Sequence, residues 1–263
     1  MDSVKLSIII VSWNVKKLLH SCLDSIKKQQ GKLPTEIIVV DNGSHDGTVE
    51  MIKEHFPNIE LIPNTTNLGF AAANNQGILK SRGQYILLLN PDTEIIRDAL
   101  NKTVDFMERG ARVGVMGCKH LNPDWTLQPS VRRFPTAAAI ALIITKIAKI
   151  LPNATSLYNY LARNFDYKLT QPVDQVAGSF FMIRRQVIDE VGLFDENFFL
   201  WFEEVDFCKR VYKAGWEVWY DSGAEIIHHG GKSFDQQLTV NKQRQFFKSA
   251  WYYFQKHGLT GQR

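Results

Sequence analysis

Cysteine is scarce in this sequence. Its three cysteines, Cys22, Cys118 and Cys208, lie far apart in a chain of 263 residues. An odd number of distant cysteines without a Cys-x-x-Cys pair argues against a disulfide framework and against a zinc ribbon. A reducing cytoplasm is therefore the setting that suits the chain best.

Long apolar runs and charge blocks are missing as well. The sequence has no run of 18 or more apolar residues and leads almost directly into a strand-like segment, which predicts neither a transmembrane helix nor a signal peptide. Its net charge of +4 is spread along the chain. Such a charge fits an anionic ligand or an anionic membrane surface, and it gives no reason to expect nucleic acid.

The first 118 residues alternate between two patterns. Short β-branched, apolar runs are separated by segments with apolar residues at helical spacing, and these runs lie at 6–11, 36–40, 59–62, 85–89 and 113–117. The alternation predicts βαβ units, and hence an α/β fold with a mostly parallel sheet flanked by helices. The first run lacks a following Gly-x-Gly-x-x-Gly, which argues against a dinucleotide site. The second half, 119–263, is less regular, with 120–134 predicted as a loop.

Polar residues follow three of the predicted strands, at 12–14, 41–44 and 90–94. Because the carboxyl ends of parallel strands share one edge of a sheet, these loops are expected to converge on one crevice. Asp92 and Glu94 at that edge suit a divalent cation, and a cation there suits a diphosphate. The alternative is that Asp92 or Thr93 caps a helix and that Glu94 lies in its first turn.

Residues 137–151 form an apolar segment with two lysines among the hydrophobic residues. The segment is too short to span a bilayer. It predicts either a core helix or an amphipathic helix that lies in a membrane interface.

Seven short motifs, in this order, resemble the inverting family 2 glycosyltransferases, and among these the rhamnosyltransferase-like branch. They are Val11-Ser12-Trp13-Asn14, Val39-Val40-Asp41-Asn42-Gly43-Ser44, Asn67-Leu68-Gly69-Phe70, Leu89-Asn90-Pro91-Asp92-Thr93, Gly178-Ser179-Phe180, Phe202-Glu203-Glu204-Val205-Asp206 and His228-His229-Gly230-Gly231-Lys232-Ser233. They span nearly the whole chain. The resemblance implies a single domain over 1–263 with the GT-A, Rossmann-like fold: a nucleotide-binding half at 1–118 and an acceptor and catalytic-base half at 119–263.

The resemblance implies an enzyme that moves a sugar, with rhamnose as a candidate, from a dTDP- or UDP-sugar to a saccharide or lipid-linked saccharide in cell-surface polysaccharide synthesis. Its cofactor would be Mg²⁺ or Mn²⁺, and it would work in the cytoplasm, with 137–151 as a peripheral contact on the cytoplasmic face of the membrane. Two alternatives stay open. A sugar nucleotidyltransferase would need a glycine-rich phosphate loop after the first strand, and a non-catalytic nucleotide-sugar or glycan-binding module would explain the departures from the family motifs.

The donor contacts carry over to the positions that match the family. In the family, the acid at Asp41 accepts the N–H of a pyrimidine base, a task that suits a carboxylate because it only accepts hydrogen bonds. Gly69 would let the backbone approach the nucleotide closely. The full set implied for nucleotide-sugar binding is Ser12, Trp13, Asn14, Asp41, Asn42, Asn67, Gly69, Phe70, Asn75, Asn90 and Asp92.

The metal and base motifs both depart from the family pattern. Asparagine at 90 replaces the first acid of Asp-x-Asp, so Asp92 is the main carboxylate ligand, with His228 preferred to His229 as a further ligand. Glutamate at 204 replaces aspartate in the Glu-Asp motif. In the family the second acid of this motif is the general base, so the resemblance assigns that role to Glu204, with Glu203 and then Asp206 as alternatives. Crowding with other acids and with aromatic residues would raise the pKa of such a carboxylate towards this task. These acids also suit the dipole of a helix N-terminus.

Arg132 and Arg133 form a pair of adjacent guanidinium groups in the second half. They are either diphosphate contacts, since guanidinium suits phosphate, or solvated loop residues.

Overall fold

The computed structural model describes residues 4–29, 31, 33–230 and 239–262, and one large sheet runs through both halves of the chain. Its strands are β1 Leu6–Ser12, β2 Thr35–Asp41, β3 Glu60–Pro63, β4 Tyr85–Leu89, β5 Thr93–Ile96, β6 Val113–Leu121, β7 Leu127–Gln128, β9 Gln171–Pro172, β11 Phe180–Arg184 and β12 Glu217–His228; β8 Val131–Arg132 and β10 Gln175–Val176 form a separate pair. The helices are α1 Lys16–Gln29, α2 Thr48–His55, α3 Phe70–Lys80, α4 Ala99–Arg109, α5 Ala137–Ile144, α6 Thr155–Tyr160, α7 Arg185–Val191, α8 Glu203–Lys213 and α9 Thr239–His257, with a 3₁₀ turn at Ile147–Lys149.

The strand order is β3-β2-β1-β4-β11-β6-β12-β5. Strands β1 to β4 are parallel, as the βαβ alternation predicts, and β11 is inserted antiparallel between β4 and β6. The predicted α/β class with a mostly parallel sheet is confirmed. Because one sheet uses strands from both halves, the two halves share a core, and their division at residue 118 stays a prediction.

Helices cover both faces of β1, which explains its continuous apolar sequence. Ile8 and Ile10 point to one face, where α1 contributes Leu19, and Ile9 points to the other, where α3 contributes Ile78. Successive strand residues alternate between faces, so a strand buried on both sides needs apolar residues throughout. Each fully buried isoleucine contributes roughly 1.5–3 kcal/mol to folding.

The residues after β4 do not form the capped helix that was one of the two expectations from the sequence. Asp92 is followed by strand β5, in which Thr93 pairs with His228 of β12. The alternative in which Asp92 or Thr93 caps a helix is therefore wrong, because a distant strand takes up this segment. The expected loop at 120–134 is also wrong at its start, since His120 lies inside β6.

Residues 137–151 divide into two parts. Helix α5 buries Ala139 and Ile140 in the core, whereas Ile147 and Ile150 of the following 3₁₀ region are exposed. Across the described residues, no helix combines the length and the apolar character needed to cross a bilayer.

Candidate active site

A cavity of about 490 Å³ opens where the carboxyl ends of β1, β2 and β4 meet α8. Each of the seven sequence motifs contributes to its lining, through Trp13, Asn42, Asn67, Gly69, Phe70, Asn90, Asp92, Gly178, Ser179, Phe202, Glu203, Glu204 and His228. The topology explains this convergence, because parallel strands end at one edge and β11 and β12 bring the later motifs to the same edge.

Asn42 organises the loops at the ends of β2 and β3. Its side-chain amide donates to Oδ1 of Asn67 at 3.0 Å and to the carbonyl of Gly69 at 3.2 Å. Its Oδ1 accepts the N–H of Leu68 at 3.0 Å. The amide groups of Asn42 and Asn67 are thus engaged with the protein itself, and they shape this wall of the cavity.

Gly69 joins the two halves of the chain. Its backbone, at φ +89° and ψ 173°, lies in a region open essentially only to glycine, and an added Cβ would lie 2.6 Å from the carbonyl oxygen of Phe199. The N–H of Phe70 donates to that same carbonyl at 2.8 Å. The close approach at Gly69 is therefore made by the protein's own backbone.

Ser12 and Asp41 are paired residues at the ends of β1 and β2. Asp41 is 1% exposed, and its Oδ2 accepts the N–H of Ser44 at 3.0 Å. Its Oδ1 and the hydroxyl of Ser12 are buried without a hydrogen-bond partner among the described residues. Since a buried acceptor without a partner is costly, a ligand donor is the natural complement of Asp41.

Two predicted donor contacts hold the fold together. Asn14, at φ 54°, accepts the N–H of His45 at 2.8 Å and donates its own N–H to Ser44 Oγ at 2.9 Å. Asn75 accepts the N–H of Phe194 at 3.0 Å and donates to Glu196 at 2.9 Å. Ser12, Asn14, Asp41 and Asn75 lie outside the lining formed by the described residues.

Asp92 and His228 meet at the cavity wall. Nε2 of His228 lies 3.4 Å from Oδ1 of Asp92, and its Nδ1 lies 2.5 Å from Oε1 of Gln128. Because an amide oxygen only accepts, Gln128 fixes Nδ1 as the protonated nitrogen and leaves the Nε2 lone pair towards Asp92. His229 turns away to Glu94, at 2.8 Å. Nε2 of His228 makes no hydrogen bond within the described part of the chain.

The Asp92–His228 pair suits a cation, although it consists of two side chains. Across residues 4–29, 31, 33–230 and 239–262, no group of three or more His, Cys, Asp or Glu side chains forms a metal site. Gly231, Lys232 and Ser233 of the last motif lie outside the described residues. A carboxylate beside an imidazole nitrogen with a free lone pair is nevertheless a donor set that Mn²⁺ or Mg²⁺ accepts.

His120 was not singled out by the sequence, since it stands alone in an apolar strand. Its ring centroid lies 5.7 Å from that of His228, and its Nδ1 lies 3.5 Å from Ser179 Oγ. Burial, with the nearby His228, lowers the pKa of His120 to about 3, so its ring is neutral. Gln128 was missed for the same reason, because only tertiary contact with His228 reveals it.

Glu203 and Glu204 begin α8 and line the cavity. Glu203 is 4% exposed, whereas Glu204 is half-buried. Burial and the charge of Glu204 raise the pKa of Glu203 well above its usual range. Burial also raises the pKa of Glu204, and the charge of Arg132 partly opposes this shift.

Asp206, one turn along the same helix, has different surroundings. It accepts from Arg210 at 2.8 Å, Lys256 at 2.8 Å and His257 at 2.7 Å. Burial alone would raise the pKa of Asp206, but the hydrogen bond from His257 and the charge of Arg210 outweigh it and lower the pKa. These contacts join α8 to α9 and favour a structural role for Asp206.

Comparison with known families decides the class of protein. Residues 7–192 match the family model described as glycosyl transferase family 2. The chain belongs to this family. Glu203, Glu204 and His228 lie beyond the matched residues, so their roles depend on the geometry of the cavity.

Relatives of this glycosyltransferase act on sugars. It is 29% identical over 211 residues, 76% of this chain and 68% of the relative, to an N-acetylglucosaminyl-diphospho-decaprenol L-rhamnosyltransferase of Mycobacterium tuberculosis. It is 25% identical to the low-salt glycan biosynthesis hexosyltransferase Agl10 of Haloferax volcanii, over 85% of this chain and 67% of the relative. The predicted family and its rhamnosyltransferase-like relatives are thereby confirmed.

The fold is similar to that of GalNAc-T7, solved with UDP, GalNAc and Mn²⁺, at a TM-score of 0.63 and 16% identity. The match covers 86% of this chain and 44% of that one, so the chain spans less than half of it. At this identity the likeness concerns the fold alone, and it confirms the predicted GT-A architecture.

The glycosyltransferase cavity has two unlike sides. The strand side consists of Trp13, Asn42, Asn67, Asn90 and Asp92, which follow the sheet edge. The aromatic side consists of Ile143, Tyr160, Phe199, Trp201 and Phe246, which come from α5, α6, α9 and the segment before α8. None of the aromatic-side residues belongs to the sequence motifs, although Ile143 lies in the apolar segment 137–151.

Proposed function

We propose that this glycosyltransferase moves a sugar, with rhamnose as the candidate, from a dTDP- or UDP-sugar to a saccharide or lipid-linked saccharide, with inversion at the anomeric carbon. The observation that carries the proposal is one cavity lined by two functional pairs: Asp92 with His228, and Glu203 with Glu204. The first pair suits a metal-bound diphosphate and the second suits proton removal. Cell-surface polysaccharide synthesis is the process that this reaction would serve.

We assign the binding of the donor's pyrimidine base to the strand side of the cavity. Asp41 itself lies outside the lining, but its chain neighbour Asn42 lines the cavity. The Oδ1 of Asp41, buried without a partner in the described structure, would accept the N–H of a pyrimidine ring beside Trp13. Thymine and uracil present the same N–H, so dTDP and UDP both satisfy this contact.

Asp92 and His228 would hold Mg²⁺ or Mn²⁺. The Nε2 lone pair of His228, oriented by Gln128 and unpartnered among the described residues, fits this role. A bound cation would supply the positive charge that stabilises a departing nucleoside diphosphate. With asparagine at 90, Asp92 is the carboxylate of this motif, which suits an ion that keeps several waters.

Glu204 is assigned as the general base. A base has to be ionised before it acts, and the pKa of Glu203 is raised more strongly by its deeper burial and by the charge of Glu204. Glu204 is half-buried, and the charge of Arg132 favours its ionised form. It would take the proton of the acceptor hydroxyl as that oxygen attacks the face opposite the leaving group.

The proposal places the enzyme in the cytoplasm, where it meets its acceptor at the cytoplasmic face of a membrane. Residues 137–151 are the predicted peripheral contact. The name of the mycobacterial relative, which includes a decaprenol-linked sugar, supports an acceptor of this kind.

The first test is isothermal titration of dTDP and UDP with and without Mn²⁺. We expect Mn²⁺-dependent binding that Asp92→Ala abolishes and that Asp105→Ala, an exposed aspartate on α4, leaves unchanged. A folded sample that binds neither nucleotide would remove the donor site and the proposal with it.

The second test addresses the chemistry. Glu204→Gln should lower the rate of sugar transfer by roughly 10²- to 10⁴-fold, the usual contribution of a general base, with nucleotide binding unchanged. NMR of the product should show the anomeric configuration opposite to that of the donor. Retained configuration, or a larger loss in Glu203→Gln than in Glu204→Gln, would contradict the mechanism.

A further inference from the structure

Positive charge is distributed unevenly over the molecule. All 27 Asp and Glu residues lie outside residues 125–165 and 239–263, whereas these two segments contain ten of the 31 Lys and Arg residues. The rest of the chain, with 21 basic and 27 acidic residues, therefore has a formal charge of −6. The chain's net charge of +4 thus arises from two segments that are far apart in sequence.

The structure brings these segments together. Helix α5 packs against both α6 and α9, and the N–H of Ala137 at the start of α5 donates to the carbonyl of Leu259 at 3.1 Å. Helices α5 and α6 of the first segment and α9 of the second therefore lie side by side in the structure.

Exposed apolar residues concentrate on the same part of the molecule. Among the described residues, thirteen large apolar side chains are exposed, and eight of these lie in the region from α5 to α6 or in α9 and the residues after it. These eight are Ile144, Ile147, Ile150, Leu151, Tyr158, Phe247, Trp251 and Leu259. Ile150 is 78% exposed and Trp251 is 59% exposed, so these side chains are available to a partner.

Helix α9 shows the pattern most clearly. Arg244, Phe247, Lys248 and Trp251 are exposed, and their spacing of three and four residues places them on one face. The opposite face buries Ala250 and Tyr253 in the core. Aromatic rings interleaved with long basic side chains suit a membrane interface, where rings enter the boundary and cations stay with the headgroups.

The 3₁₀ region after α5 repeats this combination. Lys146 and Lys149 are exposed between Ile144, Ile147 and Ile150, which are exposed as well. We call these residues, together with Leu151 and the exposed face of α9, the basic apolar face.

The basic apolar face borders the cavity. Ile143 and Phe246 line the aromatic side of the cavity, and their chain neighbours Ile144 and Phe247 are exposed on the face. A surface that holds this face would therefore lie beside the aromatic side of the cavity.

We propose that the basic apolar face docks the enzyme on a bilayer that contains anionic lipids, with α9 as a second contact beside 137–151. The inference rests on the proposed function, since it brings the aromatic side of the cavity to a lipid-linked acceptor. Charge complementarity selects an anionic surface, and continuity with the cavity selects this orientation.

The test is co-sedimentation of the purified chain with vesicles of phosphatidylcholine alone or mixed with phosphatidylglycerol. We expect binding to the anionic vesicles that added salt weakens. Lys149→Glu should reduce the affinity at least roughly five-fold, and Trp251→Ala roughly ten-fold. The matched controls are Lys53→Glu on α2 and Leu79→Glu on α3, both exposed and both outside the face.

Three outcomes would overturn the docking proposal. The first is that the wild type does not bind anionic vesicles, and the second is that Leu79→Glu and Ile150→Glu lower vesicle binding equally. The third is light scattering that shows a dimer which Trp251→Ala converts to a monomer, because the face would then join two copies of the chain. Titration of dTDP on the same variants separates this proposal from the donor site: intact nucleotide binding without vesicle binding rejects only the docking.

Discussion

On its strand side the cavity is bordered by the ends of buried strands, whereas on its aromatic side it is bordered by side chains from helices and turns. The strand side is fixed by sheet register, as in the pairing of Ser12 with Asp41. The aromatic side is fixed by helix packing and by an unusual turn, in which Trp201 and Phe202 both have positive φ, at 65° and 71°. A fold family can preserve the first side while it varies the second, and the following experiments test that division.

Gly69→Ala should break the contact between the two sides and give the largest effect. The new Cβ meets the Phe199 carbonyl and forces a backbone region that alanine avoids, so we expect a loss of roughly 2–6 kcal/mol in the free energy of unfolding. Urea denaturation measures it. Gly192→Ala is the matched control, with φ 85° and ψ −177° but nothing within 4 Å, and should lose only about 1–3 kcal/mol. Equal losses in the two variants would show that the contact with Phe199 is unimportant.

Gln128→Ala should weaken metal binding on the strand side of the cavity without unfolding the protein. Gln128 fixes the ring of His228, and loss of such an outer contact typically lowers metal affinity by roughly 10- to 100-fold. Titration of Mn²⁺ in the presence of dTDP measures this change. Gln186→Ala, which removes an exposed side chain that donates to exposed Glu190, should leave the affinity unchanged. An unaltered Mn²⁺ affinity in Gln128→Ala would argue that His228 is not a ligand.

Glu203→Gln should change how the stability of the protein depends on pH. Because the folded-state pKa of Glu203 is raised, its stabilising contribution is complete below the unfolded pKa and is lost as pH rises through the folded pKa. The wild type should therefore lose stability relative to Glu203→Gln as the pH rises from acidic to mildly alkaline. Thermal denaturation across this range measures the difference.

Asp206→Asn should change the pH dependence of stability in the opposite direction. The folded-state pKa of Asp206 is lowered, so its contribution is present above the unfolded pKa and is lost as pH falls through the folded pKa. The gap between wild type and Asp206→Asn should close as the solution is acidified. Parallel pH trends for the two variants would mean that the two acids do not differ as the structure indicates.

Arg132→Gln should give the smallest effect, on the acidic limb of the pH–rate profile. Removing this cation removes an influence that lowers the pKa of Glu204, so the limb should move to higher pH by less than about one unit, since Arg132 is exposed and screened. Arg133→Gln serves as the control on the neighbouring exposed arginine. A shift to lower pH would contradict the assignment of Glu204 as the base.

The sequence was sufficient to predict the sheet edge. Apolar runs and the polar residues that follow them predicted that Asp41 and Asp92 would follow strands at one sheet edge, because the parallel direction of strands follows from the local alternation of strands and helices. The sequence could not distinguish a ligand contact from a structural one. Asn75 and Asp206 carry the same groups as neighbouring site residues, and only their partners Phe194 and Lys256, more than 45 residues away, show the difference.

The clustering of positive charge on one face was harder to predict from the sequence than the sheet edge. Ten basic residues spread over two distant segments look like an even distribution when the chain is read in order. The packing of α5 on α9 brings four of them, Lys146, Lys149, Arg244 and Lys248, into one face. His120 and Gln128 were missed for a similar reason, since each becomes informative only beside His228, about 100 residues further along the chain.

The antiparallel insertion of β11 has a consequence for biosynthesis. Strand β4, whose end presents Asp92, pairs on one side with β11, which lies about 90 residues later in the chain. At roughly 5–20 residues per second, a ribosome leaves that edge of β4 open for several seconds after the strand has emerged. An open apolar edge is a template for aggregation, so the nascent chain is most exposed to aggregation during this interval. A fragment that ends at residue 118 would keep the open edge permanently.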